Sequence, residues 1–158
     1  MSQRRAGSRQ DWHDDTRIKI TEHAAAPYAG MVRVEERIKL DPRLRHLVKV
    51  RASQINGCAF CIDMHWEDAR AGGESETRLA QLSSWHESPY FDERDRAALT
   101  LTEATTHVAE THVPDDVWAC AEEQFGADEL ANLVFAIAAI NFWNRVSVSA
   151  RTLPRSYR

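Results

Sequence analysis

Apolar residues recur every three to four positions along the chain from about residue 24 to residue 150, with polar residues between them. This spacing is typical of amphipathic helices, which bury one face in a core. Alternation of apolar and polar residues, the strand signal, is confined to stretches as short as residues 17–20 and 48–50. The pattern therefore predicts an all-α fold.

Capping residues, prolines and glycines set the ends of the predicted helices. Asp41 and Pro42 supply a cap and a first-turn proline, and Asn56-Gly57 is typical of a helix that ends in a left-handed turn. About six to seven helices are predicted, over residues 26–40, 42–55, 58–71, 74–85, 92–108, 114–125 and 127–150. The last is apolar almost all round, which indicates a central core helix or a subunit interface.

Length and composition narrow the class of protein. The chain of 158 residues fits one domain, predicted over residues 17–158 after a flexible polar tail at residues 1–16. A net charge of −4 argues against nucleic acid or an anionic membrane as a partner. The longest apolar run, residues 133–140, is too short to span a bilayer, and no secretory signal is visible, so we expect a cytoplasmic protein.

The candidate chemistry lies in one short segment. Cys58 and Cys61 are three residues apart and His65 follows four residues later, so a helix would place all three on one face. Cys58 also lies at the predicted helix start, where backbone N–H groups and the helix dipole favour a thiolate. This combination indicates reactive thiols.

Two other interpretations of the C-x-x-C remain open. The cysteines could be small core residues, or they could ligate zinc together with His65. A structural zinc site usually has four ligands, and no second C-x-x-C or paired histidine follows in the chain. We therefore favour redox chemistry with no metal and no cofactor. Cys120, flanked by alanines, is expected to be a core residue.

The segment S-Q-I-N-G before C-A-F-C-I-D-M-H, with D-A-R-A-G-G-E at residues 68–74, resembles the alkylhydroperoxidase D-like (AhpD-like) branch of the carboxymuconolactone decarboxylase family. The resemblance covers roughly residues 24–151. It implies an all-α AhpD-like fold and assembly into a homo-oligomer, a trimer or hexamer. The decarboxylase branch lacks the C-x-x-C, so decarboxylation of lactones is not expected.

The resemblance implies a thiol-dependent peroxidase that reduces hydroperoxides through a Cys58–Cys61 disulfide. It assigns Cys61 as the peroxidatic cysteine, Cys58 as the resolving cysteine and His65 as the base of a proton relay. Physical reasoning alone leaves the two cysteines undecided, because the helix start favours a thiolate at Cys58 and the imidazole favours one at Cys61.

One position departs from the family pattern. The relay glutamate of the family usually lies twelve residues before the first cysteine, where this chain has His46. Either His46 replaces the glutamate as a neutral base, or the relay is weakened, or His46 is a partly exposed surface residue. If both histidines act as bases, activity should fall below about pH 6–7.

The resemblance also implies an electron donor, either a thiol or lipoamide-type compound, or a peroxiredoxin that the protein itself reduces. The alternatives are therefore a disulfide reductase for a peroxiredoxin and a redox-sensing oligomer without catalytic activity.

Two asparagines in the apolar last helix, Asn141 and Asn144, need polar partners if they are buried. We expect those partners across a subunit interface.

Overall fold

The computed structural model describes residues 16–157, and within that range it is helical without a strand. The all-α prediction is confirmed. The α-helices are α1 Ile20–His23, α2 Ala25–Arg37, α3 Pro42–Ile55, α4 Ala59–Ala71, α5 Glu76–Ala80, α6 Glu93–Thr106, α7 Val108–Thr111, α8 Asp115–Gln124 and α9 Ala127–Ala150. Two 3₁₀ helices cover Leu82–Glu87 and Arg155–Tyr157. The predicted flexible tail lies, apart from residue 16, outside the described residues.

The predicted boundaries of α3 are confirmed. The Asp41 carboxylate accepts a hydrogen bond from the backbone N–H of Leu44 at 3.0 Å, and Pro42 begins the helix. Asn56 ends it, and Gly57 follows with φ +64°, a conformation that glycine adopts without steric cost. These local signals place Cys58 immediately after the turn.

Other helices differ from the sequence prediction because core contacts override local pattern. The first long helix ends at Arg37 and not at residue 40, since the chain leaves the helix at Ile38 and buries Ile38 and Leu40 in the core. The helix predicted over residues 74–85 divides at Gln81 into α5 and a 3₁₀ helix. The helix predicted over residues 92–108 ends at His107.

Helix α3 is the centre of the fold and contacts α4, α6 and α9. It contributes Leu47, Val48 and Val50, and α9 contributes Ile137 and Ile140, all with no exposed surface. By length and composition α9 could cross a membrane, but half of its apolar window is buried inside the protein. That burial fits the predicted role of a core helix.

Candidate functional site

The two cysteines lie at the N-terminus of α4 and are joined by a disulfide, with their Cα atoms 5.3 Å apart. Cys58 is the N-cap residue, and its Sγ accepts a hydrogen bond from the backbone N–H of Cys61 at 3.3 Å. Both residues are 1% exposed. The structure therefore brings the predicted pair together at the helix start, in the oxidised state.

A buried polar network holds the turn before Cys58. The Asn56 side-chain amide donates to the Oδ1 atoms of both Asn141 and Asn144 at 2.9 Å. The Asn144 amide donates to Ser53 Oγ at 3.0 Å, and the Asn141 amide donates to Thr106 Oγ1 at 3.1 Å. The expectation that these asparagines bond across a subunit interface is therefore wrong, because their partners lie in the same chain.

His65 lies one turn after Cys61 and is 6% exposed. Burial, followed by the positive charges of Lys49 and other basic neighbours, lowers the pKa of His65 from 6.5 to about 3. The imidazole is therefore neutral throughout the range where we expected it to titrate. The expected loss of activity below pH 6–7 no longer has a basis in this residue.

His46 lies on α3 and is half-buried, as the partly exposed residue considered above would be. Its ring centroid is 6.5 Å from that of His65. Burial lowers its pKa, the Asp68 carboxylate raises it, and Arg45 and Lys49 lower it further. The structure therefore places a mostly neutral imidazole beside His65, where the family pattern has a carboxylate.

Lys49, on α3 and one turn after His46, is a site residue that the sequence analysis missed. Its side chain is 8% exposed, and its ammonium group bonds Glu35 Oε2 at 2.5 Å. The Trp143 indole N–H donates to the other oxygen of Glu35 at 3.1 Å, and Trp143 packs on the apolar cluster that contains both cysteines. A lysine on the buried side of α3 was the only signal in the sequence.

A cavity of about 300 Å³ opens beside the disulfide. It is lined by Gly57, Cys58, Ala59, Phe60, Ser147, Val148 and residues 151–154. Cys58 lines it, whereas Cys61 is not among the lining residues. The C-terminal 3₁₀ helix lies next to this opening, because it begins directly after the lining residue Pro154. The backbone N–H and the hydroxyl of Ser156 both donate to the Asp63 carboxylate. In the oxidised state this cavity therefore leads to Cys58.

Cys120 is a free cysteine on α8, and its side chain is exposed. The expectation that it is a core residue is wrong. On the same helix it is the next residue, Ala121, that is buried in the core.

The model of the carboxymuconolactone decarboxylase family matches residues 23–104, which include every predicted site residue. YdfG of Bacillus subtilis, an uncharacterised protein, is 43% identical over 105 residues, or 66% of this chain and 71% of that protein. YnjA of Escherichia coli, also uncharacterised, is 29% identical over 138 residues, or 87% of this chain and 74% of that protein.

Among solved structures, ATU0492 from Agrobacterium tumefaciens superposes with a TM-score of 0.86 at 39% identity, covering 88% of this chain and 97% of that one. It is described as a protein of unknown function and a candidate antioxidant defence protein AhpD. The debrominase Bmp8 superposes with a TM-score of 0.73 at 17% identity, covering 84% and 71%. At that identity the likeness extends to the fold alone.

Proposed function

We propose that this chain, which belongs to the carboxymuconolactone decarboxylase family and is an AhpD-like member of it, is a thiol-dependent peroxidase. Its substrates would be alkyl hydroperoxides or hydrogen peroxide, and its role antioxidant defence. The observation that carries the proposal is a cysteine pair at disulfide distance at the N-terminus of α4, one turn before a buried histidine.

In the first step the Cys61 thiol loses its proton to His65, and the thiolate attacks the O–O bond of the peroxide. An S–O bond forms and the O–O bond breaks, so the sulfur is oxidised to a sulfenic acid and an alkoxide leaves. The imidazolium formed in this step then donates its proton to that alkoxide. The alcohol then departs and His65 is neutral again.

In the second step the Cys58 thiol attacks the sulfenic acid sulfur of Cys61, which forms the disulfide and releases water. In the disulfide form Cys58 Sγ accepts a hydrogen bond from the Cys61 N–H, which holds it against the first turn of α4. The N-terminal position of Cys58 favours its thiolate and so this attack.

A dithiol donor, of the lipoamide type or another small thiol, then reduces the disulfide. One donor thiolate attacks Cys58 Sγ and releases the Cys61 thiolate, and the second donor thiol resolves the mixed disulfide. The cavity of about 300 Å³ supports this direction, because Cys58 lines it and Cys61 does not. The reducing cytoplasm is the compartment in which such donors are available.

Steady-state peroxide consumption with a dithiol donor tests the proposal. Wild type should consume many equivalents per chain, whereas Cys61→Ser and Cys58→Ser should not turn over. Cys120→Ser is the matched control and should keep its activity, because Cys120 is exposed and away from the disulfide. Mass mapping after peroxide treatment should find Cys58 linked to Cys61 and Cys120 free.

Two results would contradict the peroxidase. Consumption of about one equivalent per chain would indicate a redox sensor. Turnover only when a peroxiredoxin is added would indicate a disulfide reductase for that partner.

A further inference from the structure

His46, His65 and Asp68 form a cluster that the disulfide chemistry does not fully use. One ligand atom of each residue lies within 4.8 Å of those of the other two. His65 and Asp68 are one turn apart on α4, and His46 approaches them from α3. The cluster therefore joins α3 to α4, the helix that carries the cysteine pair at its N-terminus.

One ring nitrogen of each histidine in this cluster lacks the hydrogen-bond partner that buried polar atoms normally have. The Nδ1 atoms of both His46 and His65 are buried, with no hydrogen-bond partner among the described residues. His65 as a residue is 6% exposed. Its Nδ1 atom is 3.7 Å from Asp68 Oδ2, which is too long for a hydrogen bond. Because buried polar side chains are nearly always satisfied, these atoms require an explanation.

We propose that His46, His65 and Asp68 bind a divalent transition-metal ion of the Zn²⁺ class. Two imidazoles and one carboxylate are ligands that zinc accepts, and water can complete the coordination. Mg²⁺ and Ca²⁺ prefer sites made of oxygen atoms.

Binding requires a small closure of the cluster. Ligand atoms around a tetrahedral zinc ion are about 3.4 Å apart, so a pair at the upper end of the 4.8 Å range must approach by more than 1 Å. Asp68 can provide this movement, because its side chain is 47% exposed and can rotate. This ligand set differs from the cysteine–histidine zinc site weighed above and shares only His65 with it.

Metal binding at His65 would occupy the lone pair that the proton relay needs. Zn²⁺ should then inhibit peroxide turnover, a consequence that rests on the proposed function. Binding itself does not depend on that function, and it can be measured in the oxidised protein, where the Cys58–Cys61 disulfide leaves neither thiolate available.

Co²⁺ is the probe, because its visible d–d absorption reports coordination directly. We expect oxidised Cys120→Ser protein to bind one Co²⁺ per chain, displaceable by Zn²⁺. In that background His46→Gln and Asp68→Asn should weaken binding at least about tenfold, since even residues that only support metal ligands cost 10–100-fold when changed. Circular dichroism checks that each variant is folded.

Two control variants match the charge change of Asp68→Asn. Glu67→Gln alters the residue directly before Asp68 on α4. The Glu67 side chain is 64% exposed and pairs with Arg70. Glu110→Gln alters a surface His107–Glu110 pair of the same spacing, 3.6 Å apart. Both should bind Co²⁺ as tightly as the parent.

The metal site is overturned if the parent shows no saturable binding, or if the ligand and control variants behave alike. Intact binding without peroxide turnover would instead overturn the proposed function alone.

Discussion

The imidazole rings of His46 and His65 lie 6.5 Å apart, between centroids, on two helices that pack against each other. Their Nδ1 atoms have no hydrogen-bond partner within residues 16–157. A proton can therefore pass between the two rings only after a side chain rotates or through a bridging water. A carboxylate at position 46 would add a negative charge beside His65, which a histidine cannot supply.

Replacing His46 with the acid found in the family pattern tests the relay. We expect His46→Glu to retain or raise peroxidase activity, because a negative charge raises the pKa of His65 and makes it a better base. His65→Ala should lose most activity, since loss of a general base costs on the order of 10²–10⁴ in rate. The measurement is kcat/KM for peroxide under excess dithiol.

His46→Ala distinguishes a relay residue from a bystander. If its kinetics match wild type from pH 5 to 8, His46 takes no part in proton transfer. The relay would then run through water or another group.

The buried His65 should also make stability depend on pH. Its pKa in the folded protein, about 3, lies below the value of 6.5 for a free histidine, chiefly because of burial. Between these two values the unfolded chain binds a proton that the folded chain does not, so stability falls as pH falls. From pH 7 to pH 5 this residue should cost about 2 kcal/mol of the free energy of unfolding.

Urea unfolding of wild type and His65→Gln at pH 7 and pH 5 measures this cost. The variant lacks the titrating group, so its free energy of unfolding should fall by about 2 kcal/mol less than that of wild type. Equal losses in the two proteins would show that His65 is not held neutral by burial.

Much of the fold could be predicted because its signals are local. Asp41-Pro42 and Asn56-Gly57 fix the ends of α3 through capping and a left-handed turn. Cys61 and His65 lie one turn apart because of their spacing within a single helix, and Cys58 precedes that helix as its N-cap. The end of α2 was predicted wrongly because Ile38 leaves the helix and packs in a core whose other residues are mostly distant in sequence.

The missed features of the site depend on contacts between helices. Lys49 forms an ion pair with Glu35 on α2, and Asn56 donates hydrogen bonds to the two asparagines of α9. No rule of spacing along the sequence specifies such partners. The prediction that Cys120 is buried was wrong for a related reason. Its flanking residues are small and apolar, but this does not decide which face of the helix is buried.

The asparagine network makes a separate prediction about stability. Asn144→Ala removes one of the two asparagine acceptors of Asn56 and the donor to Ser53 Oγ, so the buried network loses two hydrogen bonds. We expect a loss of about 1–3 kcal/mol in the free energy of unfolding. Ser149→Ala, on an exposed position of the same helix, should change it by no more than about 0.5 kcal/mol. A loss in the control equal to that of Asn144→Ala would assign the effect to the helix and not to the network.

The last prediction concerns the outer face of α9. Phe135 and Phe142 are seven residues apart on one side of that helix, and they are 62% and 41% exposed. Phe135 also lines a groove of about 600 Å³ together with Val34 of α2, which is 40% exposed. Large apolar side chains exposed together mark surfaces that other molecules cover.

We expect another copy of the chain to cover this face, in a trimer or hexamer, and light scattering at micromolar concentration should give the corresponding mass. Phe135→Glu should lower that mass, because it would bury an unpaired carboxylate in the interface. Val108→Glu, on α7 and outside the groove, is the matched control: Val108 is 46% exposed, so the same acid should leave the mass unchanged. A wild-type monomer would contradict the assembly, and an equal fall in mass for both variants would exclude this face as its interface.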